Sequence, residues 1–225
     1  MDAVIFDFDG LILDTETASY ECWRETYAEH GLDLTLEQWA ANIGGNGYHE
    51  FHPFETLERA CTHVVDWETV HARRRARYHE RVHQLECIPG VRGAIVEARK
   101  LGLKTAVASS SDCNWVHGHL KRLQLFSAFD AVRCGDQVHA IKPDPAVYQA
   151  ALTALNLPAA RAFALEDSAK GVAAAKAAGL YCIAVANPVT RNLDLSQADR
   201  LVDSLREVSI RVLLEDMRGD LADAI

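Results

Sequence analysis

Positive charge is scarce in this chain of 225 residues: 23 lysines and arginines stand against 32 aspartates and glutamates, a formal net charge of -9. Such a chain has no general attraction for nucleic acid or for an anionic membrane, so local positive charge must be argued side chain by side chain. No apolar run approaches membrane-spanning length, and the N-terminus enters an apolar strand without a basic leader or cleavage site. The cysteines, Cys22, Cys61, Cys87, Cys113, Cys134 and Cys182, include no CxxC pair and are too sparse for a disulfide scaffold. They read as free thiols of a reducing compartment. Repeats and low-complexity tracts are also missing. A soluble, cytoplasmic, monomeric protein with no nucleic-acid or membrane partner is the expectation.

What is present is apolar residue enough, 49% of the chain, for one good core and a modest excursion from it. From Pro89 onward, short runs rich in Val, Ala, Ile and Leu at 104–109, 131–134, 162–166 and 181–186 alternate with helical patterns near 90–101, 112–123, 145–155 and 168–178. Alternation of this kind signals βαβ units and a parallel sheet covered on both faces. A strand at 3–7 joins that sheet. Residues 15–88 contain no good strand, but amphipathic helical stretches near 16–30, 53–64 and 67–86. The expected fold is α/β: a Rossmann-like, doubly wound parallel sheet from residues 1–14 and 89–225, with an inserted all-helical cap at 15–88. Gly44-Gly45-Asn46-Gly47 marks a turn between cap helices, and Pro89-Gly90 the return to the core. The segment from Asp216 to Ile225 reads as polar and prone to fray.

Asp7 and Asp9 end the first strand, in the run Ala3-Val4-Ile5-Phe6-Asp7-Phe8-Asp9-Gly10. Side chains at i and i+2 of a strand share a face, so two carboxylates point into one volume. Like charges so close call for a cation or a shared proton, and Mg²⁺ is the natural choice. The full string is DxDGxxxDT, ending at Asp14-Thr15. Three further stations follow in order: Ala108-Ser109-Ser110-Ser111 after a strand, Lys142-Pro143 before a helix, and Leu165-Glu166-Asp167-Ser168 after another strand. In a doubly wound sheet, ligands gather at the carboxyl ends of strands near the point where strand order reverses, so these stations should meet in one crevice. The cap leaves that same edge, as a lid would.

This series resembles the haloacid dehalogenase superfamily of phosphohydrolases, and the resemblance covers essentially the whole chain. It implies that Asp7 attacks phosphorus and becomes an aspartyl-phosphate, while Asp9 protonates the leaving oxygen and then deprotonates water. Ser109, with Ser110 beside it, and Lys142 would bind the phosphoryl group. Asp7, the main-chain carbonyl of Asp9 and Asp167 would ligate Mg²⁺, with Glu166 acting through water. Standing alone, Glu166-Asp167 could equally cap the helix that follows.

Within the superfamily, Asp9 and the acidic pair argue against dehalogenation, and the lack of any lysine in 15–88 removes a Schiff-base phosphonate hydrolase. The β-phosphoglucomutase branch has the same layout, but its cap histidine and loop arginine correspond to Ser19 and the Gly44–Gly47 loop. A phosphatase acting on a small phosphorylated metabolite is therefore the expectation, with a sugar-phosphate mutase and a silent phosphate-binding module as alternatives. Arg74, in the run Arg73-Arg74-Arg75-Ala76-Arg77, is a candidate for the distal part of the substrate; the other arginines read as a solvated face. The pairs His79/His83 and His117/His119 have metal-like spacing but no evident further ligand, and read as surface histidines. Trp23, Trp39 and Phe54, with His49 and His52, are candidates for the cap's mouth, with core packing the alternative for the aromatics.

Overall fold

The computed structural model describes residues 1–44, 52–62, 64–191 and 193–223. Six strands, β1 (Ala3–Phe6), β2 (Lys104–Ala108), β3 (Ala131–Arg133), β4 (Ala162–Glu166), β5 (Tyr181–Val185) and β6 (Arg200–Val202), form one parallel sheet of order β3-β2-β1-β4-β5-β6. Strand order reverses between β1 and β4. In register, Phe6 stands beside Val107 of β2 and Leu165 of β4, so the residues following these three strands emerge level with one another.

The two faces of the sheet differ in bulk. Val4, Phe6, Val107, Phe163, Leu165 and Ile183 point into one core layer, whereas Ala3, Ile5, Ala106, Ala108, Ala162, Ala164 and Ala184 point into the other. Period-2 alternation assigns each set to its face. On the small face pack α7 (Ala146–Leu155) and the alanine-rich α8 (Ala169–Ala177); on the bulky face pack α5 (Val91–Lys100), α6 (Cys113–Arg122) and α9 (Ile210–Asp223).

Helices α1 (Thr15–Glu29), α2 (Leu36–Gly44), α3 (Pro53–Ala60) and α4 (Trp67–Gln84) lie between β1 and α5 in sequence and enclose their own cluster of Trp23, Tyr27, Leu34, Trp39 and Leu57. Asp14 caps α1, its side chain accepting the Thr17 N–H at 3.1 Å, and Asp66 caps α4 in the same way through Thr69. The chain's exit to the helices and its return are joined where Ile88 N–H donates to Ile12 C=O at 2.9 Å. Arg73 and Arg77, from the run expected on a solvated face, stay partly exposed and pair with Glu29 and Glu25 of α1, and Arg81 extends the series to Glu25 and Glu21. Each set recurs every four residues on one helix face, which brings it into line with the other when the helices pack antiparallel. Each exposed pair contributes at most about 1 kcal/mol, so the ladder sets orientation more than stability.

Three elements went unread in the sequence. Helix α2 and the three-residue β6 are short, and α9 replaces the expected fraying tail. Leu213 and Met217 of α9 are buried in the bulky core layer, so polar residues around them disguise an anchored helix. Helix α3 also ends at Ala60, short of the expected 64. Among the described residues, no helix is long and apolar enough to cross a membrane. Replacing Leu213 by Ala should cost about 2–5 kcal/mol, read as a lowered urea midpoint at constant slope; an unchanged midpoint would mean that α9 is not anchored.

Candidate active site

Asp7 directly follows β1 and extends its ladder, its N–H donating to Leu165 C=O at 2.9 Å. Phe8 to Leu13 then fold into a tight loop, with Ile12 N–H on Phe8 C=O and Gly10 N–H on Leu13 C=O. Gly10 adopts φ +88°, and a Cβ there would stand 2.1 Å from Asp167 Oδ2, so only glycine lets this loop approach β4's carboxylate.

Lys142 reaches into the edge from the loop before α7. Its ammonium donates to Asp7 Oδ1 and, at 2.5 Å, to Glu166 Oε1, and all three side chains are buried. Glu166 is held from every side: Tyr148 O–H donates to Oε1 at 2.6 Å, while Oε2 accepts the Asp167 N–H at 3.1 Å and the Ser168 hydroxyl at 3.3 Å. A Cβ on Gly171 would lie 1.9 Å from Glu166 Oε2, so the first turn of α8 depends on glycine to admit that carboxylate. Asp167 is oriented by Asn187, whose Nδ2 donates to Asp167 Oδ2 at 2.8 Å and to Gly10 C=O at 3.1 Å.

Asp9 turns toward β2. Its Oδ2 accepts from the Ser111 hydroxyl at 2.7 Å and the Ser109 hydroxyl at 3.4 Å, and its Oδ1 from Trp115 Nε1 at 2.9 Å. Trp115 in turn stacks on Tyr78 of α4, with planes 9° apart and centroids at 5.9 Å. One cavity of about 950 Å³ unites these groups; Asp7, Asp9, Ser109, Ser110, Lys142 and Asp167 all line it. Thr15, Glu16, Trp39, Tyr78 and His79 line it from the helical layer. Thr15 Oγ1 and Trp39 Nε1 are buried without a hydrogen-bond partner in the protein.

Among the described residues, the buried carboxyls Asp7, Glu166 and Asp167 outnumber the one buried ammonium, Lys142. Burial raises the Asp7 carboxyl to about 8, against the pull of Lys142 and with Glu166 and Asp9 adding to the rise. Burial likewise raises Asp167, helped by Asp7 and Glu166, and raises Glu16 to about 7, helped by Asp9 and Asp14. Oxygen atoms of Asp7, Glu166 and Asp167 lie within 4.8 Å of one another. Hard carboxylate donors short of positive charge fit a hard divalent cation such as Mg²⁺.

Other expectations fare differently. Arg74 lies one turn from Tyr78 but does not line the cavity: its guanidinium covers the Trp23 ring at 4.3 Å. Trp23 and Phe54 pack within the helical layer, where Phe54 meets Trp67 edge-on; of the aromatics proposed for the mouth, Trp39 alone lines the cavity. His52 precedes α3 without capping it, and Gly45 to Gly47 and His49 lie outside the described residues. His119 is buried against Trp115 instead of lying on the surface. Ser111, Trp115, Tyr148 and Asn187 escaped the sequence reading. Ser111 alone carried a usable signal, its place in the serine run.

The chain matches the family described as haloacid dehalogenase-like hydrolase over residues 4–185. It is 41% identical over 217 residues to YhcW of Bacillus subtilis, covering 96% of this chain and 98% of that one. A Thermotoga maritima protein named phosphorylated carbohydrates phosphatase is 35% identical over 182 residues, covering 80% of this chain and 82% of that one. The crystal structure of CbbY from Rhodobacter sphaeroides in complex with phosphate superposes with a TM-score of 0.66 at 29% identity, covering 95% of this chain and 99% of that one. A mutant of the same CbbY, crystallised with xylulose-(1,5)bisphosphate, gives 0.67 at 28%, with the same coverage.

Carboxyls whose pKa is raised by folding stabilise the native state below their unfolded values near 4 and lose that contribution as pH rises toward 8. In chelator, the melting temperature should therefore fall between pH 5 and pH 8, and Mg²⁺ should raise it more at pH 8 than at pH 5. Equal Mg²⁺ stabilisation at both values would count against a carboxylate site.

Proposed function

The chain belongs to the haloacid dehalogenase-like hydrolases, and on that footing we propose that it is a Mg²⁺-dependent cytoplasmic phosphatase that hydrolyses a small phosphomonoester, such as a sugar phosphate, through an aspartyl-phosphate. The observation that carries this reading is the Asp7–Lys142–Glu166 arrangement sharing one cavity with Asp9, Ser109 and Asp167. Asp7 attacks phosphorus in line while Asp9 gives its proton to the departing ester oxygen. Asp9 then takes a proton from the water that attacks the aspartyl-phosphate, releasing inorganic phosphate and restoring Asp7. Lys142, fixed by Glu166 and Tyr148, restrains Asp7 and balances phosphoryl charge; Ser109 and the Ser110 backbone receive phosphoryl oxygens. Asp7, Asp167 and the Asp9 carbonyl would hold Mg²⁺, with Glu166 contributing charge from behind Lys142. Bound Mg²⁺ would supply charge neutralisation at the transferring phosphoryl group.

Support for a sugar phosphate comes from two relatives, one named for phosphorylated carbohydrates and one crystallised with xylulose-(1,5)bisphosphate. The cavity agrees with that size and chemistry: Tyr78 and Trp115 offer flat faces, with Asp9, Ser109 and Ser110 as polar groups in its lining. Ser19, where a mutase would have a histidine, favours hydrolysis over retention of the phospho-enzyme.

A phosphate-release screen over sugar phosphates, nucleotides and small organic phosphates should give turnover that vanishes in chelator, returns with Mg²⁺ and is abolished by Asp7→Asn. Substantial release by that variant would sink the covalent route. With β-glucose 1-phosphate and a trace of its bisphosphate, inorganic phosphate should outweigh glucose 6-phosphate; the reverse would make the protein a mutase. Trp115→Phe keeps the stack on Tyr78 but removes the donor to Asp9, so kcat should fall about tenfold and its pH profile shift, with little change in melting temperature. An unmoved profile would remove Trp115 from the control of Asp9.

A further inference from the structure

His117 and His119, two residues apart on α6, acquire very different surroundings in the fold. His117 stands one turn after Cys113 on α6, so both side chains share a helix face. Cys134, which follows β3, meets them there. A nitrogen of His117 and the sulfurs of Cys113 and Cys134 all lie within 4.8 Å of one another. Cys134 is fully buried, while Cys113 and His117 are half-buried and open to entry from solvent. Phe126 packs edge-on against the His117 ring at 5.0 Å, restricting its rotation. Asp136 stands next to Cys113, accepting its backbone N–H at 3.1 Å and lying within reach of its thiol.

We propose that Cys113, His117 and Cys134 form a second, thiophilic metal site, suited to Zn²⁺ and separate from the carboxylate cluster. Tetrahedral Zn²⁺ with two sulfurs and one nitrogen sets its ligand atoms about 3.5–3.8 Å apart, so atoms already within 4.8 Å of one another need close by no more than about 1.3 Å between any pair. Two thiols lose their protons to solvent as the ion binds, and the two thiolates neutralise it. The imidazole coordinates uncharged, and the fourth position is left to water or Asp136. Soft sulfur donors select against Mg²⁺, which stays with the oxygens of Asp7 and Asp167. The ion would join the start of α6 to the end of β3. The serine loop leads directly into α6 from β2, and Gly135, next to Cys134, already holds it by donating its N–H to Ser111 C=O at 2.8 Å. An occupied site would therefore brace the loop that carries Ser109 and Ser111. The proposal does not depend on the phosphatase reading.

The test is titration of the reduced, full-length protein with Co²⁺ in excess Mg²⁺, followed by near-ultraviolet thiolate-to-cobalt absorption, a signal that an oxygen site cannot give. Absorption should saturate at one equivalent and disappear when one equivalent of Zn²⁺ is added, and Zn²⁺ alone should raise the melting temperature. Cys134→Ser and His117→Gln should each weaken cobalt binding at least about tenfold, whereas Cys61→Ser, on the helical layer, should leave it unchanged. Circular dichroism of each variant separates lost binding from lost folding. Absence of the band in the wild-type protein, or its persistence in both Cys113→Ser and Cys134→Ser, would overturn the site. So would formation of a Cys113–Cys134 disulfide on mild oxidation with no cobalt spectrum in the reduced protein, which would make the pair a redox couple instead.

Discussion

One buried ammonium shared by two buried carboxylates organises this protein. Lys142 lies between Asp7 and Glu166, and removing one member of such a group leaves an uncompensated buried charge, a loss of about 3–5 kcal/mol. The surroundings follow from the need to hold it. Tyr148 is fully buried and brings its hydroxyl to Glu166 from α7, a side chain of its size fitting because the sheet face beneath α7 and α8 is mostly alanine. Gly171 opens the first turn of α8 for the same carboxylate. The small face of the sheet is thus tied to the charge arrangement at its edge.

Helices α1 to α4 meet that edge through a different set of contacts. The arginine–glutamate ladder orients α4 along α1, and α4 presents Tyr78 to Trp115, whose indole N–H reaches Asp9. A movement of α4 would therefore be felt at Asp9. On the opposite side, Val189 packs into the helical cluster two residues from Asn187, which orients Asp167. Asp9 is thus connected to the helical layer through Trp115, and Asp167 through Asn187 and Val189.

The two candidate metal sites share a serine loop but differ in chemistry. Around Asp7 the donors are all oxygen and the excess negative charge is buried. Around Cys134 they are sulfur and nitrogen, and charge appears only when thiols ionise. Hard and soft preferences keep such sites apart even a few residues from each other.

The parallel sheet and the four stations, three after strands and one before a helix, were legible from residue order alone; the strand order, with its reversal between β1 and β4, was not. Apolar period 2 and period 3.6 are local properties, and a carboxylate after a strand must lie at the carboxyl edge whatever surrounds it. Asp7, Asp9, Ser109 and Asp167 line one cavity for that reason, and Lys142 joins them from the loop before α7. Partnership across long sequence separations was not legible. Trp115 meets Asp9 106 residues away, Asn187 meets Gly10 177 away, and Cys134 meets Cys113 only because β3 lies beside β2. The arginines of α4 looked solvated and Arg74 looked free for substrate, because helix periodicity says which residues share a face and not what that face meets. Only the packed structure decides that, since a side chain's partner is set by the distance between elements, which sequence spacing does not encode.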